Sequence, residues 1–263
     1  MKLGFVGTGT MTSAIVRGLR SAVADQHVIR LSPRNAGIAA DLAARFPNVS
    51  IASSNQSVVD DSETVVLAIR PQTARSVISE LRFRPDHHVI SIVSALSLKQ
   101  ISALVAPATA VVRAVPLPSA ADRQSPTAIF PPDRSVAILF AKLGIVFEVE
   151  TEREFDAMCS ATATIASYFA FADRIASWLT GHGVSQTQAH NYMAQIFWGL
   201  ANTAVGAPER SFRSLAGDHA TSGGINQQVL TYLQDRGVFE NISNGLDGVM
   251  ERIMTTQKSP HSR

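Results

Sequence analysis

Thiols are nearly missing from this chain. Of 263 residues only Cys159 is a cysteine, so no intrachain disulfide can staple the fold, and a reducing compartment is expected. Lysine is almost as scarce, at positions 2, 99, 142 and 258 alone, and the other basic charge is arginine scattered along the chain. Binding to nucleic acid calls for clustered positive charge, and a net charge of +2 without clusters excludes that class. No apolar run is long and clean enough to span a membrane: the most apolar stretch, MCSATATIASYFAFADRIASWL, is interrupted by Asp173 and Arg174 and reads as a buried helix. Met1 and Lys2 lead straight into a strand with no signal peptide between them, so the cytoplasm is the expected location. No metal is expected either, because His182, His190 and His219 form no HxxxH pair. His87 and His88, in RPDHHV, read as a loop before a strand with no further signal.

What the chain does have is a core. Hydrophobic residues make up 46% and charged residues 17%, enough for a packed globular protein. Over the first half, short β-branched runs at 3–6, 28–31, 49–51, 64–69, 88–93, 110–114, 128–130 and 145–149 alternate with helical patterns such as 36–46 and 73–81. That alternation predicts an α/β fold with a doubly wound parallel sheet over residues 1–150. Beyond it the strands stop. Residues 151–263 read as an all-helical domain, with long helices at 155–179 and 187–204 and a frayed tail at 255–263. The two long helices are apolar around most of their circumference, including Trp178, Met193, Phe197 and Trp198, so burial against a second subunit is expected.

The opening segment KLGFVGTGTMTSAIVRGL is a strand, a glycine turn and a helix with Met11, Ala14, Ile15, Gly18 and Leu19 on one face. A pyrophosphate requires close backbone approach and free N–H groups at a helix start, which Gly7, Thr8, Gly9, Thr10 and Met11 can supply. Thr12 stands where a small residue normally permits tight helix packing, and predicts a helix set slightly farther off. At the end of the second strand, RLSPRNAG offers no carboxylate for an NAD ribose. Ser32, Arg34 and Asn35 instead suit the 2′-phosphate of NADP.

From residue 1 to about residue 252 the chain resembles the pyrroline-5-carboxylate reductase family, in its opening segment, in VVLAIRPQ, VISIVSALSL and VVRAVP, and in EREFDAM and DHATSGGINQQVLTYL. The resemblance implies a Rossmann-like domain followed by a helical dimerisation domain, in a homodimer or higher homo-oligomer. It also implies NADPH-dependent reduction of a cyclic imine to a proline-like product. Asn55 stands where that family has a cofactor-contacting Asn, and the loop Ala68, Ile69, Arg70, Pro71, with Arg70 replacing a lysine, is implied to lie near the nicotinamide ribose. Arg113 and Asp156 also match family positions, where packing or a domain hinge would suit them. The likeness departs at TATIAS (162–167), which lacks flexible glycines, at Leu117, and at Asn226 in TSGGIN, where the family has threonine.

Imine reduction needs a positioned hydride donor and a protonated nitrogen, and an imine is basic enough to arrive partly protonated. A substrate carboxylate needs an anion site. The turn Ser222, Gly223, Gly224 before a helix has that form, with Asn226 able to donate to the carboxylate or accept from the iminium, and His219 nearby in sequence. A β-hydroxyacid dehydrogenase combines the same two domain types but depends on a helical-domain lysine, and none occurs between Lys142 and Lys258. A deazaflavin-dependent reductase with a similar N-terminal sequence and a non-catalytic dinucleotide-binding relative are the remaining readings.

Overall fold

The computed structural model describes residues 1–22, 26–94 and 96–258, and the chain divides into two compact units. The first takes residues 1–159 and returns from residue 250, and the second is residues 160–249. In the first unit β1 (Lys2–Val6), α1 (Thr10–Ser21), β2 (Val28–Leu31), α2 (Ala36–Arg45) and β3 (Val49–Ile51) form one half of a sheet. After α3 (Asn55–Asp60) come β4 (Thr64–Leu67), α4 (Pro71–Ser79), β5 (His88–Ser91), α5 (Leu98–Leu104) and β6 (Ala110–Val115). β7 (Thr127–Phe130), α6 (Arg134–Ala141) and β8 (Val146–Glu148) complete it.

The described strands run in the order β3-β2-β1-β4-β5-β6-β7-β8, and the order reverses between β1 and β4. The doubly wound parallel sheet expected is present, and among the described pairs one departs from it: β6 with β7 is antiparallel. The physical reason is the connection, which carries a 3-10 turn (Pro118–Asp122) and no crossover helix, so the chain must return antiparallel. Apolar side chains fill both sheet faces, with Leu3, Phe5, Ile15 and Phe140 in one cluster and Val6, Leu67, Ile78 and Ile101 in the other. Gly18 is where α1 comes closest to its neighbours: a Cβ there would collide with the Ala120 carbonyl and lie 2.7 Å from Leu143 Cδ2.

The helical character begins with α7 (Glu152–Ala161), yet its first turns belong to the sheet unit. Buried Arg113 on β6 binds Glu152 and Asp156, which anchors α7 past the point where strands cease. The helix expected over 155–179 is in fact two, α7 and α8 (Thr164–Gly181). At the junction Ala163 N–H reaches Ser160 O (3.0 Å) and Ile165 N–H reaches Thr162 O (3.3 Å), bonds one residue shorter than the helical repeat. There follow α9 (Gln186–Val205), α10 (Phe212–His219), α11 (Ile225–Gln234) and α12 (Val238–Lys258). Residues 255–258, expected to fray, continue α12, and Gln257 is hydrogen-bonded to Asp156; residues 259–263 lie outside the described ones.

Among the described residues the second unit has almost no core of its own. Helices α8, α10 and α11 bury nothing, α9 buries only Ala189 and Met193, and Trp198 (66% exposed), Phe212 (81%) and Ile225 (81%) stand in solvent. Covering a side chain of that size contributes about 1.5–3 kcal/mol. No helix among the described residues is long and apolar enough to cross a membrane.

His87, without a signal in the sequence, is fully buried; its Nδ1 accepts from Arg84 N–H at 3.0 Å, and His88 is the first residue of β5. Burial, then the Arg84 guanidinium, hold the His87 imidazole below its ordinary pKa near 6.5. The unfolded chain therefore takes up this proton first, and the folded state loses stability as pH falls from 6.5 through the window beneath it. Thermal melts from about pH 8 to about pH 5 check this: the parent should lose more on acidification than His87→Asn, whose amide oxygen can still accept from Arg84. Parallel curves would contradict it.

Candidate functional site

The glycine turn lies at the carboxyl end of β1, at the switch point where sheets of this kind bind ligands. Gly7 has φ +101°, and a Cβ there would collide with the Ala68 carbonyl, so the chain passes directly against the loop after β4 and only glycine fits. Gly9 is different. It is the N-cap of α1 in extended geometry, makes no side-chain cap, and a Cβ on it would meet no atom within 4 Å. Protein packing does not demand glycine there. The open space and the uncapped first turn of α1 form a cradle that fits a dinucleotide pyrophosphate.

Thr8 and Ser32 are buried and hold the turn from beneath. Gly7 N–H donates to Ser32 Oγ at 3.0 Å, Thr8 Oγ1 donates to the Ser32 carbonyl at 2.8 Å, and the two hydroxyls are 3.0 Å apart. Ser32 thus differs from its expected part as a phosphate ligand: its hydroxyl is engaged inside the protein, fastening the end of β2 to the glycine turn. Thr12 corrects a second expectation. It is fully buried, and its hydroxyl donates to Gly7 O at 2.6 Å, so it closes the turn and does not hold the helix away.

Arg34 and Asn35 sit beyond β2, exposed. Asn35 adopts left-handed geometry (φ 65°) as N-cap of α2 without capping it through its side chain, and Arg34 makes no ion pair among the described residues. A guanidinium beside uncapped helix N–H groups suits a phosphate dianion. Asn55 is half-buried in the first turn of α3, whose cap is Ser54. Ala68 N–H pairs with Val6 O at 2.8 Å, Arg70 is the exposed N-cap of α4, and Pro71 occupies the first helical position. Thr10 is exposed and Met11 half-buried at the start of α1. The first unit therefore gathers all the expected cofactor residues at the carboxyl ends of β1, β2, β3 and β4, with Ser32 and Thr8 behind the surface and the others around it. Leu117 is half-buried, and its N–H donates to Ser125 Oγ at 2.8 Å as it leads into the 3-10 turn that packs on Gly18.

The expected substrate turn belongs to the second unit. Gly223 has φ +72°, which favours glycine, and a Cβ on Gly224 would lie 2.6 Å from Thr221 Oγ1 and 3.0 Å from the Thr221 carbonyl oxygen, so the first is favoured by conformation and the second by close approach. Their N–H groups are not free, which corrects the expectation of an open anion nest: Gly223 N–H donates to Gln227 Oε1 at 2.8 Å and Gly224 N–H to Thr221 O at 2.8 Å. The unengaged donors are those at the start of α11, where Gly224 supplies no side-chain cap, together with the exposed Ser222 hydroxyl and the exposed Asn226 carboxamide. Gln227 is the residue sequence reading missed, although glutamine three places after a helix N-cap is a known capping position. His219 hydrogen-bonds through Nδ1 to Leu215 O within α10, at 2.9 Å. Among the described residues no cluster of His, Cys, Asp or Glu could hold a metal ion.

Comparison with known proteins follows the same division. Residues 2–95 match the domain family described as NADP oxidoreductase coenzyme F420-dependent, and residues 152–255 match the pyrroline-5-carboxylate reductase dimerisation domain. The pyrroline-5-carboxylate reductase of Pseudomonas aeruginosa is 25% identical over 177 residues, 64% of either chain. The 1-pyrroline-5-carboxylate reductase of Streptococcus pyogenes superposes with a TM-score of 0.85 at 24% identity, over 97% of this chain and 98% of that one. The pyrroline carboxylate reductase of Plasmodium falciparum, solved with NADP bound, gives 0.82 at 19% identity, over 97% and 98%. The exposed apolar helices are thus a dimerisation domain, which accounts for their missing core and makes the protein a homo-oligomer. Along most of its length the chain is similar to the pyrroline-5-carboxylate reductases, and residues 152–255 belong to that family's dimerisation domain.

Proposed function

We propose that this protein is a cytoplasmic NADPH-dependent reductase of a cyclic imine carboxylate, 1-pyrroline-5-carboxylate or a close analogue, yielding L-proline or its analogue. The observation that carries the reading is the cradle at Gly9: an uncapped helix start with space that no side chain occupies, built on a switch point in a chain similar to these reductases. Bound NADPH supplies the hydride. The amides from Gly9 to Met11 hold the pyrophosphate, while Arg34 and Asn35, at the start of α2, hold the 2′-phosphate. Asn55 and the Ala68, Arg70, Pro71 loop line the ribose.

The substrate carboxylate is taken by the first N–H groups of α11 and the Ser222 hydroxyl on the Gly223–Gly224 turn, and Asn226 hydrogen-bonds the ring nitrogen or the carboxylate. No protein acid is needed, because the iminium nitrogen brings its own proton. The absence of lysine between residues 142 and 258 supports this chemistry over alcohol oxidation with a lysine acid. The engaged N–H groups of Gly223 and Gly224 favour a second reading, a dinucleotide-binding relative without turnover.

Mixing the protein with NADPH and a panel of cyclic imines, while following the nicotinamide absorbance, separates the two. Oxidation with 1-pyrroline-5-carboxylate is expected; NADPH binding without oxidation by any imine would establish the second reading. Gly9→Asp places a carboxylate against the pyrophosphate and should weaken NADPH binding at least about a hundredfold while the protein remains folded. Unchanged affinity by calorimetry would refute the cradle. Asn226→Ala removes one hydrogen bond to a charged group and should lower kcat/KM about tenfold or more with NADPH affinity intact. Equal rates in variant and parent would remove Asn226 from the site.

A further inference from the structure

Arg113 is the largest fully buried side chain in the described structure, an expensive place for a guanidinium. Its Nη1 lies 2.8 Å from Glu152 Oε1 and 2.9 Å from Asp156 Oδ1, its Nη2 donates to Ser94 O at 3.3 Å, and its plane sits 4.4 Å from the centre of the Phe155 ring. Nε has no partner. An apolar residue could dock α7 on β6 at lower cost, so the arrangement serves more than packing.

The two acids extend the cluster. Glu152 Oε1 also accepts from Leu98 N–H at 2.5 Å, and both Asp156 oxygens accept from Gln257 Nε2 at 3.1 and 3.2 Å. Gln257 O accepts in turn from Gln100 Nε2 at 2.7 Å, and Gln100 closes the capping box of α5 with Ser97. One cation therefore organises the start of α5, the first turns of α7 and the last turn of α12. The chain leaves the sheet unit after Cys159 and re-enters it at Met250, each within about two helical turns of this cluster.

We propose that Arg113 is a positioning residue: through Glu152, Asp156 and Gln257 it locks both covalent connections to the helical unit, and so governs hydride delivery without touching cofactor or substrate. The catalytic half of this rests on the reductase reading; the locking half does not. Gln257→Ala removes the Gln257–Asp156 hydrogen bonds and leaves the Arg113–Asp156 pair, while Arg113→Lys keeps the charge but cannot bridge two carboxylates and a carbonyl from one planar fork.

Hydrogen exchange on the intact protein reads the lock. In both variants exchange should rise about tenfold or more in 155–159 and in 250–256 together. NADPH affinity and the KM for 1-pyrroline-5-carboxylate should stay within about twofold of the parent while kcat falls about tenfold. Faster exchange at 250–256 alone would overturn the shared lock, and an unchanged kcat with both segments loosened would overturn its catalytic role. Were the parent to oxidise no NADPH with any imine, the reductase reading would fall, and paired or unpaired exchange would still decide the lock.

Discussion

The fold and the candidate site both depend on one close approach, that of Gly7 to the Ala68 carbonyl at the reversal between β1 and β4. Two parallel strands diverge there, and the backbone of the first must turn sharply beside the second. The left-handed φ of Gly7 allows it, Thr12 closes the turn through the Gly7 carbonyl, and Ser32 and Thr8 fasten the end of β2 beneath it. With those bonds made inside, the groups left at the surface are the amides that begin α1. The proposed phosphate site is thus the consequence of where the sheet has satisfied its polar groups and where it has not.

That division explains what could be read from the sequence. Strands were legible because β-branched runs buried on both faces have a strong local signature, and all eight runs form strands. The direction of β7 was not, since it follows from a connection too irregular to advertise its path. Arg34 and Asn35 were legible as exposed polar residues after a strand. Ser32 and Thr12 were misread because a hydroxyl beside a glycine turn looks the same in sequence whether it faces a ligand or a backbone carbonyl. Gln227 escaped notice for the related reason that a side chain reaching back to an N–H is invisible until the turn is built.

The helical unit poses a different problem, because its stability lies outside the single chain. With Trp198, Phe212 and Ile225 in solvent, its helices depend on a partner subunit that the dimerisation domain provides. The proposed cofactor residues need no such partner, since they are fixed by one chain's own sheet. The two units therefore differ in what completes them: the turns of the sheet unit are fixed by contacts within one chain, and the apolar faces of the helical unit are covered on assembly.

Calorimetric titration of NADPH and NADH into the intact protein tests the central claim most directly. NADPH should bind at least about tenfold more tightly than NADH, the difference expected for a phosphate met by Arg34 and the start of α2. The absence of heat with either nucleotide would contradict the account.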